Sequence, residues 1–187
     1  MSSDRRSVLQ AAFGTGLGLL LPEIARAQDN DPRNARPQAG DRLVFADGDL
    51  KGKPVKPDAL PVGGPPVTVF PQDPASGAVR DGSRLNQILL VRLDPARLQG
   101  DTQGRAAQGV VAYSAVCTHA GCDGFAWEAD KQMYKCPCHD SEFDPADAAR
   151  IAGGPATRRL PALPLKVADG AVVVAGAFTA RVGVVSN

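Results

Sequence analysis

All four cysteines and both histidines of the 187-residue chain fall in two short stretches. These are Cys117-Thr118-His119-Ala120-Gly121-Cys122 and Cys136-Pro137-Cys138-His139-Asp140-Ser141. No thiol or imidazole lies anywhere else, and this concentration constrains the chain more than any other feature.

The first stretch contains Cys-x-His and the second Cys-x-x-His, with sixteen residues between His119 and Cys136. Two thiolates and two imidazoles suit one zinc ion. They equally suit a [2Fe–2S] cluster with cysteines on one iron and histidines on the other. Each stretch carries a second cysteine, Cys122 and Cys138. Spare thiols on neighbouring loops of an exported chain tend to pair. A disulfide across two ligand loops fits a cluster better than a zinc site, where Cys-x-x-Cys knuckles are expected.

Cys-Thr-His-x-Gly-Cys followed by Cys-Pro-Cys-His-x-Ser resembles the two boxes of high-potential Rieske iron–sulfur proteins. Gly153-Gly154-Pro155-Ala156 stands where that family has a Gly-Pro loop over the cluster. The resemblance is strong from about Gly109 to Val167 and weak elsewhere. It implies that Cys117 and Cys136 bind one iron, that His119 and His139 bind the other, and that Cys122 and Cys138 form a disulfide. Ser141 matches the serine whose hydroxyl bonds a bridging sulfide. Gly154 and Pro155 belong to the covering loop. Phe143 takes the place of a tyrosine that, in Rieske subunits of cytochrome bc complexes, donates to a ligand cysteine. Asp140 takes the place of a glycine. Both departures predict a potential below the bc type, within the class range of roughly −150 to +300 mV.

A net charge of +1 shows no nucleic-acid footprint. With 20 Gly, 16 Pro and only 5% aromatic residues, the composition predicts short strands and many turns. Residues 1–27 read as an export signal. Asp4-Arg5-Arg6-Ser7-Val8-Leu9 resembles a twin-arginine motif, an apolar run follows from Ala11 to Leu21, and Ala25-Arg26-Ala27 is a small-x-small cleavage site. The alternative is a retained membrane anchor, although the run is shorter than the roughly 17 residues a spanning helix needs.

The expected fold is all-β. Residues 28–187 form one Rieske domain, in which a β-sandwich base carries an inserted cluster-binding subdomain at 112–156. Strands are expected at Arg42–Ala46, Val67–Phe70, Gln87–Leu93 and Gly109–Val116. Hairpins are expected at Phe125–Lys135 and, around Asp169-Gly170, at Leu163–Ala175. Gln28–Gly40 reads as a linker or arm and Asp94–Gly109 as an exposed insertion, and helical potential is confined to Ser7–Leu21. Tyr113, Phe125 and Trp127 read as core. Asp140, Glu142, Asp144 and Asp147 read as an acidic rim or docking face, and Arg158-Arg159 as its counter-charge or, alternatively, as a guide for a partner.

With every iron position filled by protein, the resemblance implies single-electron transfer and no substrate site of the chain's own. A Rieske oxygenase needs a 2-His-1-carboxylate iron as well, and both histidines are already taken. Soluble dioxygenase ferredoxins lack the spare cysteines and the export signal. Val111-Ala112-Tyr113-Ser114, Ser141-Glu142-Phe143-Asp144 and Ala156-Thr157-x-x-Leu160-Pro161 resemble small subunits of arsenite oxidase. That resemblance implies a periplasmic chain docked on a large molybdopterin-type subunit, with a downstream acceptor such as a c-type cytochrome. The alternative is the Rieske subunit of a quinol-oxidising cytochrome bc complex.

Overall fold

The computed structural model describes residues 31–184, and the export signal expected at 1–27 lies outside them. Among the described residues, ten strands form two antiparallel sheets. The larger has six: β1 (Arg42–Phe45), β2 (Val67–Gln72), β3 (Ile88–Arg92), β4 (Val110–Ser114), β9 (Leu165–Ala168) and β10 (Ala171–Val174), in the order β4-β3-β2-β1-β10-β9. The smaller is a meander of β5 (Ala126–Glu128), β6 (Met133–Lys135), β7 (Glu142–Asp144) and β8 (Arg150–Gly153). The protein is all-β, with the small sheet inserted between β4 and β9 of the base.

Strands β3 and β4 explain how the small sheet is positioned. Their continuous apolar runs put side chains on both faces. Ile88, Leu90, Val110 and Ala112 join Leu43, Val69, Val172 and Val174 in the core of the large sheet. Leu89, Val91, Val111 and Tyr113 face the other way, into a second core with Tyr134, Cys136 and Phe143 of the small sheet. The chain leaving β4 enters that second core directly, so Ala115 and Cys117 are buried there too. The approach to β9 closes over β4, where the Ser114 and Leu163 N–H groups donate to the Pro161 and Ala112 carbonyls at 2.9 Å each. The Asp169-Gly170 hairpin forms as expected. Both residues are left-handed (φ 50° and 73°), which a two-residue turn of the twist-matched kind requires.

Residues 32–41 are an arm fastened to the base. Arg80 donates two hydrogen bonds to the buried Asp41 carboxylate, at 2.7 and 3.0 Å. Asn86 Nδ2 donates to the Ala35 and Arg80 carbonyls. Leaving either charge of the buried pair alone would cost about 3–5 kcal/mol.

Three features differ from the sequence reading. Residues 94–109 are mostly exposed, as expected, but they are structured and anchored rather than a free insertion. They contain a short helix, α1 (Asp101–Arg105), and bury Leu98, Thr102 and Ala107. The Ala148 N–H donates to Thr102 Oγ1 at 2.8 Å, and the Gln99 N–H to the Ala146 carbonyl at 2.9 Å, so the segment backs the small sheet. Helix therefore also occurs outside Ser7–Leu21. Strands β7 and β8 were unforeseen as well. Their turn uses Ala148 and Ala149 at φ 50° and 47°, with none of the Gly or Asn that normally marks left-handed positions.

Candidate metal centre

Each Cys/His stretch is the same six-residue turn. In the first, the Cys117 N–H donates to the Cys122 carbonyl (2.7 Å) and the Gly121 N–H to the Cys117 carbonyl (3.0 Å). In the second, the Cys136 N–H donates to the Ser141 carbonyl (2.9 Å) and the Asp140 N–H to the Cys136 carbonyl (3.0 Å). The fifth residue is left-handed in both: Gly121 at φ 76° and Asp140 at φ 58°. Aspartate is among the few non-glycine residues that tolerate this conformation, which explains how Asp140 stands where bc-type proteins have glycine.

The two turns are joined by a disulfide between Cys122 and Cys138, with an S–S distance of 2.14 Å. Cys117 and Cys136 remain free thiols, both buried in the same core. Burial pushes the Cys117 thiol up, while the His119 and Ala120 N–H groups directed at it work the other way. The His119 and His139 rings lie edge to face with centroids 4.8 Å apart. His119 is half-buried and His139 exposed. The sulfurs of Cys122, Cys136 and Cys138 all lie within 4.8 Å of one another. Two of them are locked in the disulfide, so this triple is not a ligand set. The donors left over are one pair of thiols and one pair of imidazoles, grouped like with like. That arrangement fits a [2Fe–2S] cluster with cysteines on one iron and histidines on the other.

Ser141 is fully buried, and its Oγ accepts the Ala156 N–H at 3.1 Å. Its own hydroxyl proton is left for one further acceptor. The covering loop sits directly on the second turn: a Cβ on Gly154 (φ 80°) would lie 2.5 Å from Ser141 Cα and 2.7 Å from the Asp140 carbonyl oxygen. Pro155 beside it is exposed. Phe143 is fully buried, edge-on to Phe125 at 5.8 Å. Tyr113 is buried with its hydroxyl donating to the Pro145 carbonyl at 2.7 Å, and Phe125 and Trp127 pack against the same core.

The acidic run is neither a free rim nor a bare docking face. Asp140 pairs with Lys135 (3.1 Å) and Glu142 with Lys131 (3.3 Å). Asp144 is buried and accepts the Ala146 N–H, and Asp144 and Asp147 both pair with Arg150. Lys131, Lys135 and Arg150, rather than Arg158 or Arg159, are the counter-charges. The negative charge that Asp140 was expected to bring to His139 is therefore partly offset by Lys135, whose ammonium is held protonated above its ordinary range by that carboxylate.

Two supports of the first turn come from far along the chain. Arg84 Nη1 donates to the Gly121 carbonyl at 2.6 Å, and Thr118 Oγ1 to the Arg158 carbonyl at 2.5 Å. Thr118 could be read as a loop-shaping residue from its place in the motif. Arg84 could not, since it lies on an unrelated turn 37 residues before Gly121.

The sequence profile of the Rieske [2Fe–2S] domain matches residues 43–164. A Haloferax mediterranei protein named as the Rieske subunit of a respiratory nitrate reductase is 36% identical over 149 residues, which are 79% of this chain and 63% of that one. The cytochrome bc1 complex Rieske iron–sulfur subunit of Streptomyces lividans is 39% identical over 98 residues, 51% of this chain and 58% of that one. The chain thus spans less than two thirds of either relative's length. Among solved structures, the ferredoxin of carbazole 1,9a-dioxygenase from Nocardioides aromaticivorans aligns with 66% of this chain and 94% of its own, at 19% identity and a TM-score of 0.43.

Proposed function

The chain belongs to the Rieske [2Fe–2S] family, and on that premise we propose that it is the one-electron carrier of a respiratory oxidoreductase complex. Its cofactor is a Rieske-type [2Fe–2S] cluster, which supplies reversible one-electron chemistry and leaves no open iron position for a substrate. In this reading Cys117 and Cys136 hold one iron, and His119 and His139 the other. The observation that carries it is the sorting of the four donors into two thiols buried in one core and two imidazoles lying edge to face, on two turns clamped by a disulfide. The buried thiols keep water from the inner side. Exposed His139 presents an edge toward a partner. Ser141 and the covering loop restrain the second turn.

The finer reading is the small subunit of a periplasmic oxidoreductase of arsenite-oxidase type. It would be exported by the twin-arginine route, docked on a large molybdopterin-type subunit, and would pass electrons to an acceptor such as a c-type cytochrome. The three motif resemblances support this. The likeness to the nitrate reductase subunit, 36% identical over 79% of the chain, is compatible with it, and the bc1 subunit of Mycobacterium tuberculosis reaches 75% of the chain at 30% identity. The bc-complex reading is favoured by the Streptomyces subunit's higher identity, 39%. There His139 would bind quinol, and residues 1–27 would be kept as an anchor.

His119→Ala or Cys136→Ala is expected to abolish cluster incorporation, read as loss of the Rieske EPR signal of the reduced protein. An intact signal in either variant overturns the ligand assignment. Purification of the native complex separates the finer readings: molybdenum in stoichiometric amount supports the first, b-type haem the second.

A further inference from the structure

Because Arg150 serves the acidic residues, Arg158 and Arg159 are left for something else. With Arg150, Ile151, Thr157 and Ala180 they line an open cleft of about 520 Å³. None of the six lining residues is acidic. Arg158 is braced by a hydrogen bond from Nη2 to the Gly183 carbonyl at 2.6 Å. Arg159 is exposed and forms no ion pair among the described residues. On the β6–β7 side the lysines are occupied, Lys131 by Glu128 and Glu142, and Lys135 by Asp140. The unpaired positive charge near the centre is therefore on the arginine side.

Two connections tie this cleft to the ligand turns. Thr157 follows the covering loop by two residues from Pro155. The Arg158 carbonyl accepts the Thr118 hydroxyl at 2.5 Å, and Thr118 lies between Cys117 and His119. A molecule seated in the cleft thus rests on backbone that is hydrogen-bonded to the first turn. Guanidinium forks match carboxylates in a planar, bidentate way, and arginine is enriched where proteins dock. The cleft is open and lined by three arginines, with no buried polar side chain among its lining residues to close around a small anion. That shape suits an extended segment better than a single ion.

We propose that this cleft docks a carboxylate-bearing segment of the protein with which the chain exchanges electrons, Arg158 and Arg159 gripping neighbouring acidic side chains. The proposal rests on the electron-transfer reading above. Its function is to hold the partner beside the covering loop and the backbone tied to the first ligand turn.

The test uses the full-length, cluster-loaded protein and a fluorescently labelled hexaglutamate peptide, followed by anisotropy against added salt. Wild type is expected to bind the peptide at low salt and to release it as salt rises. The Arg158→Glu, Arg159→Glu double variant is expected to lose at least tenfold in affinity. Arg159→Glu alone, which removes no hydrogen bond or ion pair among the described residues, is expected to lose several-fold and keeps the test decisive if the double variant fails to fold. Lys166→Glu, an exposed reversal of the same size on β9, is the control and is expected to change affinity less than twofold. Equal loss in the control and in Arg159→Glu overturns the proposal, because attraction would then be to net charge. Displacement of the peptide by inorganic phosphate at equal concentration overturns it too, in favour of a small-anion site. The EPR signal and a reversible one-electron couple are recorded on every sample. Their absence from wild type would sink the electron-transfer reading itself, whatever the peptide does.

Discussion

The two ligand turns share one backbone design and are held in opposite ways. The first, Cys117–Cys122, is gripped by distant residues: Arg84 at the Gly121 carbonyl, and Thr118 reaching across to Arg158. Glycine occupies its left-handed position. The second, Cys136–Ser141, grows out of a hairpin and is capped by the loop that follows the same meander, through Gly154 and the Ala156 N–H. Aspartate occupies its left-handed position and is paired to Lys135 on the strand just before. The second turn should therefore form with the small sheet, from contacts close in sequence. The first requires the large sheet to be assembled. Local closure costs less chain entropy than long-range closure, and the distinction sets how substitutions in the two turns should behave.

The largest effect is expected at the covering loop. Gly154→Ala would put a Cβ within 2.5–2.8 Å of Ser141 and Asp140 backbone atoms, at a left-handed φ. Backbone cannot yield as a flexible side chain does, so the second turn must move. The variant is expected to assemble little or no cluster, read by visible absorption per chain. Full loading would show that the covering loop does not seat the turn.

Next come the hydroxyls, which compare the two kinds of support directly. Ser141→Ala leaves the Ala156 N–H without its acceptor in a fully buried place and is expected to cost about 1–3 kcal/mol. Thr118→Val removes one hydrogen bond at a 5%-exposed position of similar shape and is expected to cost about 0.5–1.5 kcal/mol. Chemical unfolding of the loaded protein measures both. A larger loss at Thr118 would reverse the ranking, making the long-range tie the stronger of the two. Gly121→Ala is expected to cost about 1–2 kcal/mol through its left-handed backbone alone, since its nearest obstacle is the flexible end of Arg84 at 3.3 Å. Gly121→Asp should cost less, as the second turn already carries Asp at the equivalent place.

What could be read from the sequence follows the same division. The donors, the disulfide partners and the covering loop lie inside two contiguous motifs and a Gly-Pro run, so their residue types and order announce them. The β9–β10 hairpin announces itself through Asp169-Gly170. Strands β3 and β4 were legible as apolar runs, and their burial on both faces follows from those runs. Supports that depend on tertiary closure were not legible. Arg84 is one exposed arginine among many until β3 brings its turn beside Gly121. The acids after His139 look like a solvated run until β7 and β8 pair and Arg150 folds back on them. Segment 94–109 has the polarity of an exposed loop because most of it is exposed, and the few side chains that anchor it, among them Leu98, Thr102 and Ala107, form no periodic pattern. The β7–β8 turn carries alanines where glycine would have marked it.

The smallest expected effect tests whether the second turn's own ion pair tunes the centre. Asp140 lies next to His139, and its carboxylate would disfavour adding an electron nearby. Lys135 sits 3.1 Å from it and offsets that charge. The pair is solvent-accessible, 74% for Asp140 and 33% for Lys135, so its contribution to stability is small. Asp140→Gly also relieves a left-handed residue at about 1–2 kcal/mol, against roughly 0.5–1 kcal/mol for glycine's extra freedom when unfolded. Stability should hardly move. The midpoint potential is the sharper readout, with about 59 mV for each tenfold change in a one-electron equilibrium. Asp140→Gly is expected to raise the potential by roughly 10–20 mV, a fraction of that step because Lys135 already masks the charge. Lys135→Met should lower it by a similar amount, since it unmasks Asp140. Removing Asp140 in the Lys135→Met background should then raise the potential by more than it does in wild type. Protein-film voltammetry of the four proteins closes the cycle. Equal shifts in the two backgrounds would mean that Lys135 does not mask Asp140, and that the second turn owes its potential to backbone and covering loop alone.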